Sequence, residues 1–145
     1  MTQKLKTLLI AVVLTIIGVV GVSDNASAAT TKTAIPMNSN FAYGGTAYVY
    51  TSEDYLNVYA TYEAAYNSYV YVKLTLQRYT DGAWHDISTK AGYAEYSFDT
   101  KKNLNVTFSN ISNVLEKPHR IKVQIYDGYV TSDLMQTAYS QSWTR

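Results

Sequence analysis

Hydrophobic positions along this 145-residue chain fall into two regimes. The first is one apolar run from Leu8 to Val22, preceded by Lys4 and Lys6 and followed by a short polar stretch ending in Ala26-Ser27-Ala28. A basic start, an apolar centre and small residues at the last and third-last positions predict a secretory signal peptide over residues 1–28. The run falls short of the about 20 apolar residues that a membrane span requires. Residues 29–40 have no period and contain Thr, Ser, Asn and Pro, which predicts a flexible leader.

The second regime, residues 41–145, is period two. Thr46 to Tyr50 follows Gly44-Gly45, a pair suited to a bend or bulge. Over Tyr55–Tyr62, Leu56, Val58, Ala60 and Tyr62 share one face, and Tyr55, Asn57, Tyr59 and Thr61 share the other. The clearest strand runs from Tyr69 to Tyr79. Val70, Val72, Leu74 and Leu76 face inward, with Tyr69, Tyr71, Lys73, Thr75, Gln77 and Tyr79 outward. Thr80-Asp81-Gly82 predicts a tight hairpin turn, returning as Ala83–Ser88 with Trp84. Short strands follow at Ala94–Phe98 and Asn103–Phe108. Beyond Pro118, Ile121, Val123 and Ile125 alternate with Arg120, Lys122, Gln124 and Tyr126 up to Asp127-Gly128, and Thr137–Trp143 supplies the last strand. About eight short strands at this spacing, with no convincing helix, predict a single antiparallel β-sandwich.

The hairpin Val72–Trp84 (VKLTLQRYTDGAW) and the later stretch His119–Gly128 (HRIKVQIYDG) carry a resemblance. They resemble the central hairpin and penultimate strand of immunoglobulin-like or fibronectin-III-like modules of exported bacterial proteins. The likeness spans about Tyr43 to Trp143. It implies an immunoglobulin-like, all-β sandwich, with Trp84 in the core where such folds usually hold a tryptophan. The chain departs from antibody-type domains in lacking a cysteine pair, and His119 stands where a corner tyrosine would precede the strand. Such modules serve adhesion, sugar binding, spacing and inhibition alike, so the resemblance implies a fold and no function.

Charge changes the picture by exclusion. Removing Lys4, Lys6 and Asp24 takes two from twelve basic and one from eleven acidic residues, leaving ten of each. A neutral surface argues against nucleic acid, which is held by clustered Lys and Arg, and against adsorption to anionic membranes. The chain has no cysteine, which removes disulfides, thiolate catalysis, a lipid-anchored cysteine and Cys-based zinc sites. The fold is therefore expected to hold by packing alone. Cysteine-free exported domains suit a bacterial source. With no hydrophobic tail before Ser142-Trp143-Thr144-Arg145, an extracellular, released protein is expected.

Candidate chemistry is sparse. His85 and His119 read as surface or rim residues, and His85 cannot act with Asp86 because strand neighbours point to opposite faces. No Gly-x-Ser-x-Gly elbow is present. Glu53-Asp54 and Glu95/Asp99 are the carboxylates a glycosidase could use, and each is more simply a turn or strand-end charge. Asp99 with Asn103, or Asp127 with Asp133, could touch calcium from a loop, but turn chemistry explains them without an ion. A non-enzyme without metal or cofactor is expected.

What remains is tyrosine: fifteen residues, all beyond the signal peptide, against three Phe and two Trp. Tyr55, Tyr59, Tyr69, Tyr71 and Tyr79 fall on outward faces. Were their strands neighbours, they would form a cross-strand platform able to stack on sugar rings or enter a protein interface. Tyrosine also enters strands for local reasons alone. The sequence thus points to a binding module for a cell-wall glycan, polysaccharide or surface protein. An exported antagonist (a bacteriocin-like toxin or enzyme inhibitor) and a self-associating matrix protein stand as alternatives.

Overall fold

The computed structural model describes residues 30–145, so the expected signal peptide at 1–28 lies outside the described residues. Ten strands follow in order: β1 (Thr31–Pro36), β2 (Thr46–Glu53), β3 (Val58–Glu63), β4 (Ser68–Thr80), β5 (Ala83–Tyr96), β6 (Lys101–Lys102), β7 (Leu104–Phe108), β8 (Pro118–Asp127), β9 (Leu134–Tyr139) and β10 (Trp143–Thr144). They form two antiparallel sheets, and the described residues contain no helix. The smaller sheet has the order β1-β2-β3-β7. In the larger, β6-β5-β4-β8 continues with β9 and β10, which share the free edge of β8.

Alternation explains the core. Val70, Val72, Leu74 and Leu76 of β4 and Ile121, Val123 and Ile125 of β8 are buried, as their period predicts. Facing them from the smaller sheet are Ile35, Ala47, Val49, Val58, Ala60, Tyr62 and Phe108, and the two rows form one cluster. Asp81 and Gly82 both have positive φ, at 53° and 80°, the backbone that a two-residue hairpin turn demands.

Several elements differ from the sequence pattern. Thr31–Pro36 is an edge strand rather than part of a leader, because six residues pair with β2 and Ile35 inserts into the core. Only one of its side chains is buried, so no period marked it. The two short strands expected around Ala83 and Ala94 are one strand, β5. Leu76 pairs with Ser88 and Gln77 with Asp86, which leaves Ile87 as an extra residue. That bulge reverses the parity of the strand. Trp84 and Asp86 on one side of it, and Thr89, Ala91 and Tyr93 on the other, consequently share the outer face. Trp84 is therefore half-buried outside the core, and Tyr62 and Phe108 are the core's largest side chains. Leu56 lies in the turn before β3 and is exposed. The last expected strand divides at Ser140, whose hydroxyl accepts the Ile121 N–H (2.9 Å).

Tyr62 carries the one phenol among these core residues. Its hydroxyl is buried without a hydrogen-bond partner among the described residues, and desolvation holds its pKa well above the ordinary value. An unpaired buried donor costs about 1–3 kcal/mol. Tyr62→Phe is therefore expected to raise stability by about 1 kcal/mol in chemical denaturation. A loss of similar size would show that the hydroxyl is bonded.

Candidate functional site

The outer face of the larger sheet is built in rows fixed by register. Tyr93, Tyr71 and Tyr126 stand side by side on β5, β4 and β8. The next rows are Ala91-Lys73-Gln124-Thr137 and Thr89-Thr75-Lys122-Tyr139, followed by Asp86-Gln77-Arg120. Tyr79 pairs with Trp84 at the hairpin end. Two aromatic ends thus flank a polar centre, and Tyr71 and Tyr79 lie about 26 Å apart at the usual strand rise.

The first end is the denser. Ring centroids of Tyr69 and Tyr93 are 5.6 Å apart and nearly parallel, Tyr71 and Tyr93 are 5.1 Å apart, and Tyr71 and Tyr126 are 6.2 Å apart. Tyr129, in the loop after β8, brings its ring within 5.0 Å of Tyr69. Two details hold it there. The Asp127 carboxylate accepts the N–H groups of Tyr129 (2.7 Å) and Val130 (2.8 Å) across Gly128. A Cβ on Gly128 would come within 2.6 Å of the Tyr69 carbonyl and strike the Tyr69 ring. An open cleft of about 220 Å³ continues from this end, lined by Tyr43, Tyr66, Tyr69, Tyr129, Asn67 and Asp127 among others.

The polar centre is a tied network. The Thr75 and Thr89 hydroxyls meet at 2.9 Å. Arg120 Nε donates to Gln77 Oε1 (2.9 Å), Gln77 Nε2 donates to Asp86 Oδ1 (2.8 Å), and Lys122 pairs with Asp86 at 3.3 Å. The Gln77 amide, followed by Lys122, holds the Asp86 carboxyl below its ordinary pKa. At the hairpin end, the Arg120 guanidinium lies 4.2 Å from the Trp84 ring centroid and 3.9 Å from that of Tyr139.

Of the expected residues, Tyr69, Tyr71 and Tyr79 stand on this face, whereas Tyr55 and Tyr59 do not. Strand β3 pairs with β2 and β7 in the other sheet, so the cross-strand cluster joining it to β4 does not form. The Tyr59 hydroxyl donates to Asp54 (2.6 Å), and this bond, ahead of those from Asn57 and Leu56, holds the Asp54 carboxyl well below the carboxylate range. Tyr55 is 70% exposed in the same turn. Tyr93, Tyr126 and Tyr129 are the residues that join Tyr69 and Tyr71. Tyr126 carried a signal, being outward by period in β8; Tyr93 lost its phase at the bulge.

The opposite end of the molecule holds the second histidine. His85 is exposed, with its ring 3.2 Å from the Thr80 carbonyl. His119 is buried, against expectation, because it continues the inward row of Ile121, Val123 and Ile125. Its Nδ1–H donates to the Lys117 carbonyl (2.7 Å), which leaves Nε2 to accept from Arg78 Nε (3.1 Å), and Trp143 stacks on the ring. Beside it, Trp143 Nε1 donates to Glu53 (3.0 Å), which also pairs with the buried Arg145 guanidinium. Arg145 donates further to the carbonyls of Asp54, Asn57, Tyr55 and Ile111. Glu53 is thus committed to structure. Among the described residues, no group of three His, Asp or Glu side chains could hold a metal.

Desolvation, with the Arg78 charge adding to it and the Lys117 carbonyl opposing, lowers the His119 pKa below 6.5. The unfolded chain then takes up a proton at higher pH than the folded one. The contribution of His119 to stability is present above about pH 6.5 and is lost as pH falls towards its folded-state value. Between about pH 7 and pH 5, the melting temperature should fall more steeply for the parent than for His119→Gln. Parallel profiles would exclude His119 as the titrating group.

No protein-family model, curated protein or solved structure matches this chain. Function therefore has to come from the site itself.

Proposed function

We propose that this protein is a secreted, non-catalytic binding module with an immunoglobulin-like sandwich, whose tyrosine face recognises an extracellular polysaccharide such as a cell-wall glycan. The strand order supports the fold reading. The order β9-β8-β4-β5 corresponds to G-F-C-C′ of that fold and β2-β3-β7 to A-B-E, with β1 as an added edge strand. The apolar run and Ala26-Ser27-Ala28 motif support export.

One observation carries the function: Tyr126, Tyr71, Tyr93 and Tyr69 form a continuous row of ring contacts on a sheet face, extended by Tyr129 from the adjoining loop. Rings locked by neighbours lose little entropy when a ligand settles on them. Together they offer apolar ring surface and hydroxyls, the pair of features that a sugar ring, apolar on its C–H side and polar at its rim, requires. The polar centre beyond them supplies amide, hydroxyl and ammonium groups from Gln124, Thr137 and Lys73. A surface protein rich in exposed side chains would use the same face, with the same tyrosines as anchors.

The test is co-sedimentation of the purified protein with cell walls and insoluble polysaccharides. The parent should pellet with at least one of them, and Tyr69→Ala/Tyr71→Ala should bind about tenfold more weakly or worse while remaining folded. Equal binding by parent and variant, or none by either, would remove the glycan-face reading.

A further inference from the structure

Cations of the chain lie over six of its aromatic rings. Lys32 Nζ lies 3.9 Å from the Tyr48 centroid and 5.5 Å from that of Tyr50. Lys101 Nζ lies 4.8 Å from Tyr96, Lys73 Nζ lies 5.1 Å from Tyr126, and Arg120 covers Trp84 and Tyr139. Among the described residues, no such cation lies over Tyr69, Tyr129, Tyr43 or Tyr66, the four rings that line the cleft beyond β4.

Carboxylates stand there instead. Asp127 lines the same cleft; its Oδ1 is used by the turn, and among the described residues its Oδ2 has no hydrogen-bond partner. Glu95 pairs with Tyr69 in register and lines an adjoining recess with Tyr69, Tyr129 and Asn67. Among the described residues neither carboxylate belongs to an ion pair, although Lys102 stands opposite Glu95 on β6. Tyr129 is 85% exposed and Tyr43 72%, so their faces are open to a ligand.

Ring faces carry a negative quadrupole and attract a cation within about 6 Å of the centroid. Four rings and two unpaired carboxylates without a cation of their own are complementary to positive charge. A hard metal ion would require more oxygen ligands than are gathered here. A weakly hydrated organic cation requires only the ring faces and a nearby countercharge. We infer that this cleft is a receptor for an organic ammonium group, seated against Tyr129, Tyr43 and Tyr66 with Asp127 and Glu95 as countercharges. The inference rests on the reading of the tyrosine face as a ligand surface and names the chemistry recognised at its end.

Tetramethylammonium is the probe, titrated into the labelled protein and followed by two-dimensional NMR, with tert-butanol as a neutral probe of similar shape. Saturable shifts confined to residues 40–44, 66–69 and 127–129, seen with the cation and not with the alcohol, are expected. Tyr129→Leu and Asp127→Asn should each weaken binding about threefold or more, with core amide signals unchanged as proof of folding. Equal shifts from the neutral probe, no saturable shift, or undiminished binding by both variants would overturn the inference. Polysaccharide co-sedimentation separates the two proposals. Loss of the ammonium shifts with sedimentation intact removes the cation site alone, whereas shifts without sedimentation remove the glycan reading and leave the cation site. Retention on trimethylammonium-grafted beads with elution by choline would assign the group to a polymer. Shifts without retention would assign it to a free small cation.

Discussion

Strand β4 is hydrogen-bonded along both edges, to β5 and to β8, and the remainder of the molecule is arranged around that double commitment. Neither its register nor its facing can change without breaking two ladders at once. Its inner row of Val70, Val72, Leu74 and Leu76 is fully buried, so the strand cannot rotate to expose it. The outer row is consequently fixed as well. Tyr69, Tyr71, Lys73, Thr75, Gln77 and Tyr79 are held in position by the core behind them, and neighbours on β5 and β8 complete each row. A surface built this way is held rigid by the two ladders and the core beneath it.

The two ends of the sandwich solve opposite problems. At the cleft end, Gly128 and the Asp127 turn leave room for aromatic side chains to gather in the open. At the other end, the inward rows turn polar at Glu53 of β2, Arg78 of β4 and His119 of β8. A guanidinium removed from water costs several kcal/mol unless its charge and protons are matched. The two Nη groups of Arg145 meet Glu53 and four backbone carbonyls, and its Nε alone has no partner among the described residues. Trp143 gives Glu53 a second donor. A cysteine-free chain was expected to hold by packing alone. It also holds by this buried polar clasp, which ties residues 53–57 and 111 to the end of the sandwich.

Where burial follows strict alternation, the chain announced its structure. The rows Val70–Leu76 and Ile121–Ile125 stood out in the sequence, and so did the Asp81-Gly82 turn. Three physical circumstances hid the rest. An edge strand buries one side chain, so Thr31–Pro36 showed no period. A bulge shifts parity, which split β5 and concealed Tyr93, while Trp84 was placed in the core by the resemblance although its pairing with Tyr79 turns it outward. Pairing between distant strands leaves no local mark, so nothing in the sequence separated Tyr59, across the core, from Tyr69 and Tyr71. His119 is the instructive miss: its phase with Ile121 was visible, but a polar side chain was not credited with an inward position.

The Arg145 contacts also have a kinetic side. The β4–β5 hairpin closes through a two-residue turn, and such hairpins form in about 1–10 μs. The Arg145–Glu53 pair spans 92 residues and can close only after the intervening loops have been brought together. Loop-closure entropy therefore orders the events, local pairing first and the long-range clasp late. On this entropic ground the hairpin that carries Tyr69, Tyr71 and Tyr93 is favoured to pair before the buried guanidinium closes its contacts.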